Sequence, residues 1–481
     1  MLTIPEGIIM NKTKMIATIG PSSRPKEVIK DMIINGVDVI RINMSHSSFE
    51  EARDIIINVR DIDRELKSVT GIMIDTRGPE IRLNDLESRK IKLEKDNNIR
   101  IVKKYIKGNS DIISITLPDA LNYIKIGQKI LLNDGSVALE VVSKSEDMLV
   151  CQIKNDGYIK SHCSVNIPNA DFDLKFLSDY DKETVKFAAM MGVDYLALSH
   201  VKNELDVLDI NDLLIELDDG HMQIISKIEN KNAIDEINQI LRVSDGVMIA
   251  RGDLGIEMEI EKIPSIQKKI ANEAKKQEKI CIIATEMLSS MQENPRPTRA
   301  EVSDVANSVL DGTDAIMLSS ETAIGKYPVE TVKTTNKIID EIEKEIDYND
   351  LLLDFDRNDK LSITDAICYS VVDSANRVDA KIIVCSTLSG KTAKKISHFR
   401  PSSSVIAISP DEKTVSGLTI NYGIIPVKVP MMDTTDEIVK VSLDIAKEKI
   451  NINTNDKIVI TGSFPNKEVD YTNFMKIEEI K

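Results

Sequence analysis

Eight short apolar runs, most of them handing over to a stretch of helical periodicity, constrain this chain more than any other feature. The runs are MIATIG (15–20), VIRINMS (39–45), GIMIDT (71–76), YLALS (195–199), IISKIE (224–229), GVMIARG (246–252), CIIAT (281–285) and AIMLS (315–319). Amphipathic stretches at Lys26–Ile34, Phe49–Lys67, Asp181–Met191, Ile263–Lys279 and Val329–Ile346 carry the 3.6-residue period of a half-buried helix. Eight strands that each lead into a helix are what a (β/α)8 TIM barrel requires.

Nearly a hundred residues of different character separate the third strand from its helix. From about Leu83 to Pro168 the pattern alternates with period two, in IKLEK, NIRIVKK, DIISITL and KILLNDGSVALEVV. The Asn133-Asp134-Gly135 turn between two such runs is a hairpin signal. An inserted all-β domain over 83–168 is expected, placed as a lid on the C-terminal face of a barrel built from 1–82 and 169–346. The acidic, poorly periodic DYNDLLLDFDRND reads as a linker over 347–360. A helix near Ser362–Val378 and the strands KIIVCS, VIAIS, GIIPVKV and KIVITG then predict a doubly wound α/β domain over 361–481. Ile363, Ile367 and Val371, near one face of that helix, read as core in preference to a subunit contact. At roughly 150 residues per domain, 481 residues predict about three domains, in agreement.

Composition removes several classes of function. A content of 42% hydrophobic and 29% charged residues argues against wholesale disorder. The net charge of −16 lacks the basic footprint of a nucleic-acid binder. No stretch reaches the ~18 uninterrupted apolar residues of a membrane span. The opening MLTIPEGIIMNKTK has no apolar core followed by small residues, so no signal peptide is expected. Five cysteines are scattered and never form CxxC, which suits reduced thiols in a cytoplasm.

Barrel chemistry gathers at the C-terminal strand ends, and residues two apart share a side. The second strand thus presents Arg41, Asn43 and Ser45, with His46 beyond. The third ends in Asp75 and Thr76, the fifth in Lys227 and Glu229, and the sixth leads to Arg251, Gly252 and Asp253. The seventh and eighth end at Thr285 and Ser319. Glu229 and Asp253 admit a salt-bridge reading with Lys227 and Arg251. A metal site is preferred, because two hard carboxylates with open positions suit Mg²⁺. Arg41, Arg82, Lys227 and Arg251 around them predict an anionic substrate, most simply a phosphate, which a locally basic cleft in an acidic protein would focus.

At this point the residues carry a resemblance. TKMIATIGPSS (13–23), GVDVIRINMSHSS (36–48), DTRGPEIR (75–82), SDGVMIARGDLGIE (244–257) and above all NPRPTRAEVSDVANSVLDGTDAIMLSSETAIGKYPVE (294–330) resemble the pyruvate kinase family over nearly the whole chain. The resemblance implies transfer of a phosphoryl group from phosphoenolpyruvate to ADP, giving pyruvate and ATP. It implies that Glu229 and Asp253 hold Mg²⁺ (or Mn²⁺) and that Lys227 stabilises the phosphoryl group in flight. Gly252 and Thr285 match positions at the substrate carboxylate, and Arg41 a phosphate-binding arginine. Asn43, Ser45, Asp75 and Thr76 match a K⁺ site, with Glu80 implying dependence on K⁺. Asn43 through His46 and Arg82 border the nucleotide phosphates, and lid closure would bring Asp134 towards the nucleotide. Water near Thr285 and Ser319 is the implied proton relay. The family is commonly a homotetramer.

The sequence also departs from the family pattern. Ser320 stands where glycine is usual, Glu286 where glutamine is usual, and His200 where phenylalanine is usual. His162 and Cys163 replace a lysine at the end of the inserted domain, with Lys160 nearby. His200 reads as a polar core residue in preference to the alternative, a role in catalysis. The run Ser386-Thr387-Leu388-Ser389-Gly390-Lys391-Thr392 places hydroxyls and a lysine at a helix start, which suits a phosphate. It resembles the family's sugar-phosphate effector pocket; the bland alternative is a capped helix with a solvated lysine. Two other functions compete with the kinase reading. One is a barrel lyase using Lys227 as a Schiff base, the other a silent effector-binding protein.

Overall fold

The computed structural model describes residues 11–168, 176–353, 361–450, 452–463 and 471–480. Eight parallel strands close a barrel: β1 (Lys14–Thr18), β2 (Val39–Asn43), β3 (Gly71–Asp75), β4 (Tyr195–Leu198), β5 (Gln223–Ile228), β6 (Gly246–Ala250), β7 (Ile280–Ala284) and β8 (Ala315–Leu318). Each pairs with its sequence neighbours, and β1 pairs with β8 to complete the ring. Nearly every barrel-strand residue is buried, because the ring interior takes one set of side chains and the helices cover the other. Ile16, Val39, Met73, Ala197, Ile225, Met248, Ile282 and Met317 belong to the inner core. A larger shell formed with the helices holds the alternate residues, such as Ile40, Ile72 and Ile249.

The helices start where the sequence supplies caps. Ser48 accepts from the Glu51 amide, and the Glu51 carboxylate accepts from the Ser48 amide; Thr298 and Glu301 do the same. Each reciprocal pair satisfies two amides that the first turn leaves open. The five expected helices form within three residues of the predicted limits. The sixth strand is shorter than expected: it stops at Ala250, and Arg251 already begins a helix, Arg251–Glu257.

The inserted segment builds a six-stranded sheet and a two-stranded one, around a separate apolar core that includes Ile99, Leu139 and Cys151. The expected hairpin joins Lys129–Leu132 to Val137–Lys144, with Leu132 opposite Val137. Asn133, Asp134 and Gly135 all have positive φ (53°, 54° and 79°), the conformation that Asn, Asp and Gly tolerate best. This tip reaches the barrel, where Ile256 would touch a Cβ added at Gly135.

The acidic 347–360 segment is not simply a linker: Tyr348–Leu353 is helical, and 354–360 lie outside the described residues. Beyond it, a five-stranded sheet runs in the order Ile424–Lys428, Ser404–Ser409, Ile382–Ser386, Lys457–Gly462 and Phe474–Glu479. The first four are parallel, and the fifth, an antiparallel edge strand, was not expected. Distinct apolar clusters cover its two faces, as a doubly wound sheet requires. On its first helix, Ile363–Val378, Val371 is buried as expected, but Ile363 is exposed. This sheet's loops close the N-terminal end of the barrel. Ile420 joins the inner barrel core, and the Tyr195 hydroxyl accepts from the Ile420 amide (3.2 Å) and meets Thr419 Oγ1 (3.0 Å). All five cysteines are unpaired and buried. Among the described residues, no helix is long and apolar enough to cross a membrane.

Candidate active site

The strand ends bring opposite charges into contact, as side-chain alternation predicts. Arg41, at 6% exposure, donates Nε to Asp75 Oδ2 (2.7 Å), and its Nη2 lies 2.5 Å from the same oxygen. Its Nη1 donates to Thr18 Oγ1 (2.9 Å). Lys227 Nζ lies 2.7 Å from Glu229 Oε1 and 3.3 Å from Asp75 Oδ1, and donates to Ser199 Oγ at 2.8 Å. The Ser199 hydroxyl has two acceptors within reach, Thr76 O (2.7 Å) and Asp75 Oδ1 (3.0 Å). Burial alone would pull the Lys227 ammonium down, but the Asp75 and Glu229 carboxylates beside it override that and hold it above its usual value. Asp75 is lowered: burial opposes ionisation, and Arg41 and Lys227 more than compensate. Lys227 is therefore a fixed cation rather than the neutral amine that a Schiff-base enzyme needs.

Asp253 lies close enough to Glu229 and Lys227 for both charges to act on it. The second oxygen of Glu229 accepts from the His200 amide (2.7 Å) and lies 3.2 Å from His200 Nδ1. Asp253 receives no hydrogen bond on its carboxylate among the described residues, and burial together with repulsion from Glu229 raises its pKa. A half-buried carboxylate with unfilled lone pairs, near a second, buried one, is a donor set that a hard divalent cation satisfies. The set Asn43, Ser45, Asp75 and Thr76 is all oxygen, and Asn43 sits directly opposite Asp75 in the β2–β3 register. Both Asp75 oxygens, however, already meet Arg41, Lys227 and Ser199.

Thr285 adjoins this pair. Its Oγ1 accepts from the Gly252 amide (2.7 Å), and it is followed by Glu286, both residues at positive φ (68° and 54°). Backbone strain in a β-branched residue at a strand end is the kind that functional sites retain. Glu286 itself is exposed. The Ser319 hydroxyl is buried without a partner among the described residues, while its amide donates to Glu321 (2.9 Å). Ser320 Oγ accepts from Gln292 Nε2 (2.9 Å), so the usual glycine is replaced without loss of the turn. Arg251 corrects the expectation of a substrate-facing cation: it binds Asp304 (2.7 Å), Thr285 O (2.7 Å) and Met287 Sδ (2.9 Å).

Between the lid tip and the barrel lies a cavity of about 360 Å³, lined among others by Asp134, Ser164, His200, Asp253 and Glu257. Asp134 is held there by Ser164, whose hydroxyl donates to its carboxylate (2.6 Å). His200 corrects the core reading: it is 30% exposed, lines this cavity and lies against Glu229. Arg82 binds Glu80 Oε2 (2.9 Å) and the His162 carbonyl (2.8 Å). The His46 imidazole is pushed down by burial and then by Arg82. Of the departures at the lid's end, Cys163 is buried and His162 pairs with Asp85 (3.1 Å). Lys160 lines a different groove, with Arg89 and Lys90. Two contributors went unpredicted, Ser199 and Thr18. Each lies two residues beyond an inward-facing apolar residue, Ala197 or Ile16, so the alternation rule contained the signal.

In the C-terminal domain, Ser386 ends a strand and Lys391 begins the helix Lys391–His398, with Gly390 at φ 80° before it. Thr387 Oγ1 accepts from the Gly390 amide (3.0 Å), and Leu388 and Ser389 are exposed. The Thr392 hydroxyl is engaged with Thr472 (2.7 Å), which turns it away from an outward-facing phosphate cradle.

Comparison with known proteins adds the following. Residues 10–332 match the family description "Pyruvate kinase, barrel domain", and residues 365–478 match "Pyruvate kinase, alpha/beta domain". The chain is 39% identical over 471 residues to a pyruvate kinase of Geobacillus stearothermophilus, covering 98% of this chain and 80% of that protein. It is 40% identical over 470 residues to one of Staphylococcus aureus, covering 97% and 80%. A crystal structure of a pyruvate kinase from Cryptosporidium parvum superposes with a TM-score of 0.91 at 33% identity, over 100% of this chain and 98% of that one.

Proposed function

The chain belongs to the pyruvate kinase family, and from that premise we propose how its residues carry the family's reaction. It is a phosphotransferase that moves the phosphoryl group of phosphoenolpyruvate to ADP; the P–O bond to the enolate breaks, one to the ADP β-phosphate forms, and the enolate takes up a proton as pyruvate. The observation that carries the assignment of the site is the contact of Lys227 with Glu229 (2.7 Å), beside an Asp253 whose carboxylate has no hydrogen-bond donor among the described residues.

Glu229 and Asp253 would hold Mg²⁺ or Mn²⁺, which supplies a Lewis acid for the phosphoryl oxygens when bound. Lys227 keeps its charge throughout and faces the anion that passes between donor and acceptor, where fixed cations stabilise spreading negative charge. Arg41 adds a second cation while anchoring Asp75, and Asn43, Ser45, Asp75 and Thr76 are the proposed K⁺ ligands. Gly252 and Thr285 offer an amide and a hydroxyl at the positions assigned to the substrate carboxylate. The Ser319 hydroxyl, without a partner among the described residues, is suited with Thr285 to orient a water that protonates the enolate. His46, Arg82 and Asp134 border the cleft assigned to the nucleotide. The loop Ser386–Thr392 is proposed as an effector pocket using Ser386, Thr387, Ser389, Gly390 and Lys391, with Thr392 in a structural part. The same reading assigns catalysis to 1–82 and 169–346, the lid to 83–168 and regulation to 361–481, within a cytoplasmic homotetramer.

A coupled assay of pyruvate formation tests this directly. Activity is expected to vanish without Mg²⁺ and to fall severalfold or more without K⁺. Lys227→Met should abolish turnover while phosphoenolpyruvate still quenches or shifts a binding signal. Undiminished turnover in that variant would remove Lys227 from the reaction.

A further inference from the structure

A second cavity lies at the opposite end of the barrel, in the seam between its floor and the C-terminal domain. It measures about 130 Å³ and is lined by Asp245, Lys279 and Asp314 from the barrel and by Lys394, Arg400 and Asn421 from the C-terminal domain, among others. At about 30 Å³ per water in the liquid, that is room for roughly four waters or one tetrahedral oxyanion. It sits at the His398 end of the helix Lys391–His398, whose Lys391 end carries the proposed effector loop. At ~1.5 Å per residue the two are about a helix length, ~12 Å, apart.

The charges around it are unevenly matched. Asp314 is taken up by Arg400 (2.8 Å) and the Cys281 amide (2.8 Å), Asp245 receives the Ile224 amide (2.9 Å), and Glu278 binds Lys395 (2.5 Å). Two lysines, by contrast, donate to neutral oxygens: Lys279 to Ser244 O (2.7 Å) and Lys394 to Gln223 Oε1 (2.6 Å). Asn421, 94% buried, is among the residues lining the cavity, and its Oδ1 has no hydrogen-bond partner among the described residues. Arg400, equally buried, is held in the left-handed region (φ 50°), a strained conformation for a bulky side chain. The positive character of the seam also shows in its titrating groups. His398 is driven down to about 3 by burial and then by Arg400, Lys395 and Lys275. Lys394 is lowered by burial, with Lys279 adding to the fall and Asp245 opposing it.

We propose that this seam cavity binds a small oxyanion of the phosphate class, held by Lys279, Lys394 and the Asn421 amide turned with its nitrogen inward, and that the anion fastens the C-terminal domain to the barrel floor. The anion would give two half-buried ammonium groups a countercharge that their neutral hydrogen-bond partners do not, and would give the Asn421 amide a partner. Ligand that binds only the assembled seam stabilises the folded chain by mass action.

The test is a thermal-melt and calorimetric titration of the full chain with inorganic phosphate, at ionic strength held constant with chloride. The melting temperature is expected to rise with phosphate and not with chloride. In Asn421→Asp, which is isosteric but adds a negative charge, and in Lys279→Gln, the apparent phosphate Kd should weaken at least tenfold and the rise should disappear. Lys227→Met and Lys391→Ala should retain the rise, which separates the seam from the catalytic site and from the effector loop. If Asn421→Asp does not fold, Lys279→Gln decides alone, because among the described residues Lys279 donates to a single carbonyl. The inference is overturned if phosphate stabilises no more than chloride, if the seam variants keep the wild-type rise, or if Lys227→Met or Lys391→Ala loses it.

Discussion

Ser199 offers the sharpest test of how Lys227, the proposed catalytic cation, is held. Its hydroxyl accepts from Lys227 Nζ at 2.8 Å and donates to Thr76 O or Asp75 Oδ1, all within a buried cluster. In Ser199→Ala the ammonium keeps Glu229 at 2.7 Å and Asp75 at 3.3 Å, so its charge is not orphaned. What is lost is direction: one of three contacts that fix where Nζ points. A hydrogen bond to a charged group is worth about 1.5–3 kcal/mol. If that is felt chiefly in the transition state, ~1.4 kcal/mol per decade converts it to roughly a 10- to 100-fold fall in kcat. The KM for phosphoenolpyruvate should change less than threefold, because the ground state is held by several other groups. Steady-state kinetics by coupled pyruvate formation separate the two parameters, and Ser199→Thr, which restores a hydroxyl, should recover most of the rate. A kcat within twofold of wild type in a folded Ser199→Ala protein refutes the argument, as does a loss confined to KM.

Three further outcomes follow from the geometry. Asp253→Asn removes a carboxylate repelled by Glu229, so the chelator-treated protein should melt at a higher temperature, by roughly 1 kcal/mol of added stability, while Mg²⁺-dependent activity is lost; a lower melting temperature would contradict the repulsion. His398 is pulled down to about 3 in the folded protein, whereas an unfolded histidine takes its proton near 6.5, so between these values the unfolded state binds more protons and stability falls as pH drops. Well below pH 6.5 its share approaches ~1.4 kcal/mol per pH unit, and urea melts at pH 7 and pH 5 should show a smaller difference in His398→Gln than in wild type. Tyr195→Phe leaves the Ile420 amide without its acceptor at the barrel floor and should cost about 1–3 kcal/mol in urea unfolding, with kcat little changed.

The barrel was legible because its signal is repeated eight times. Any one run, such as CIIAT, is ambiguous between a buried strand and part of a buried helix. The repetition, together with capping residues such as Ser48 and Thr298, leaves one architecture. The misjudged elements are those with a weak or single signal. Tyr348–Leu353 is helical although acidic residues obscure its periodicity, and its Leu352 packs into the C-terminal core, a tertiary contact invisible in sequence. Phe474–Glu479 is an edge strand with an exposed Met475 and Ile477, so it lacks the continuous apolar run by which its buried neighbours announce themselves. Arg251 belongs to the same group: the expected strand ran on to Gly252, but it ends two residues earlier, Arg251 begins a helix, and its side chain meets Asp304.

At the site the limit is of another kind. Alternation along a strand tells which residues share a side, and that was enough to bring Arg41, Asp75, Lys227 and Glu229 together. It says nothing about which partner each charge takes. The Asp75 oxygens meet two cations and a serine, pairings that alternation does not give, because β2, β3 and β5 converge and a buried carboxylate binds the nearest fixed charge. His200 shows the same limit from the other direction. Placed just past β4 in a short loop at φ 60°, it is free of the strand's alternation, and only the position of β5 beside it decides that its ring meets Glu229 rather than the core. Parity therefore fixes membership of the cluster, while the pairing within it is set by strand-to-strand distances that no single segment encodes.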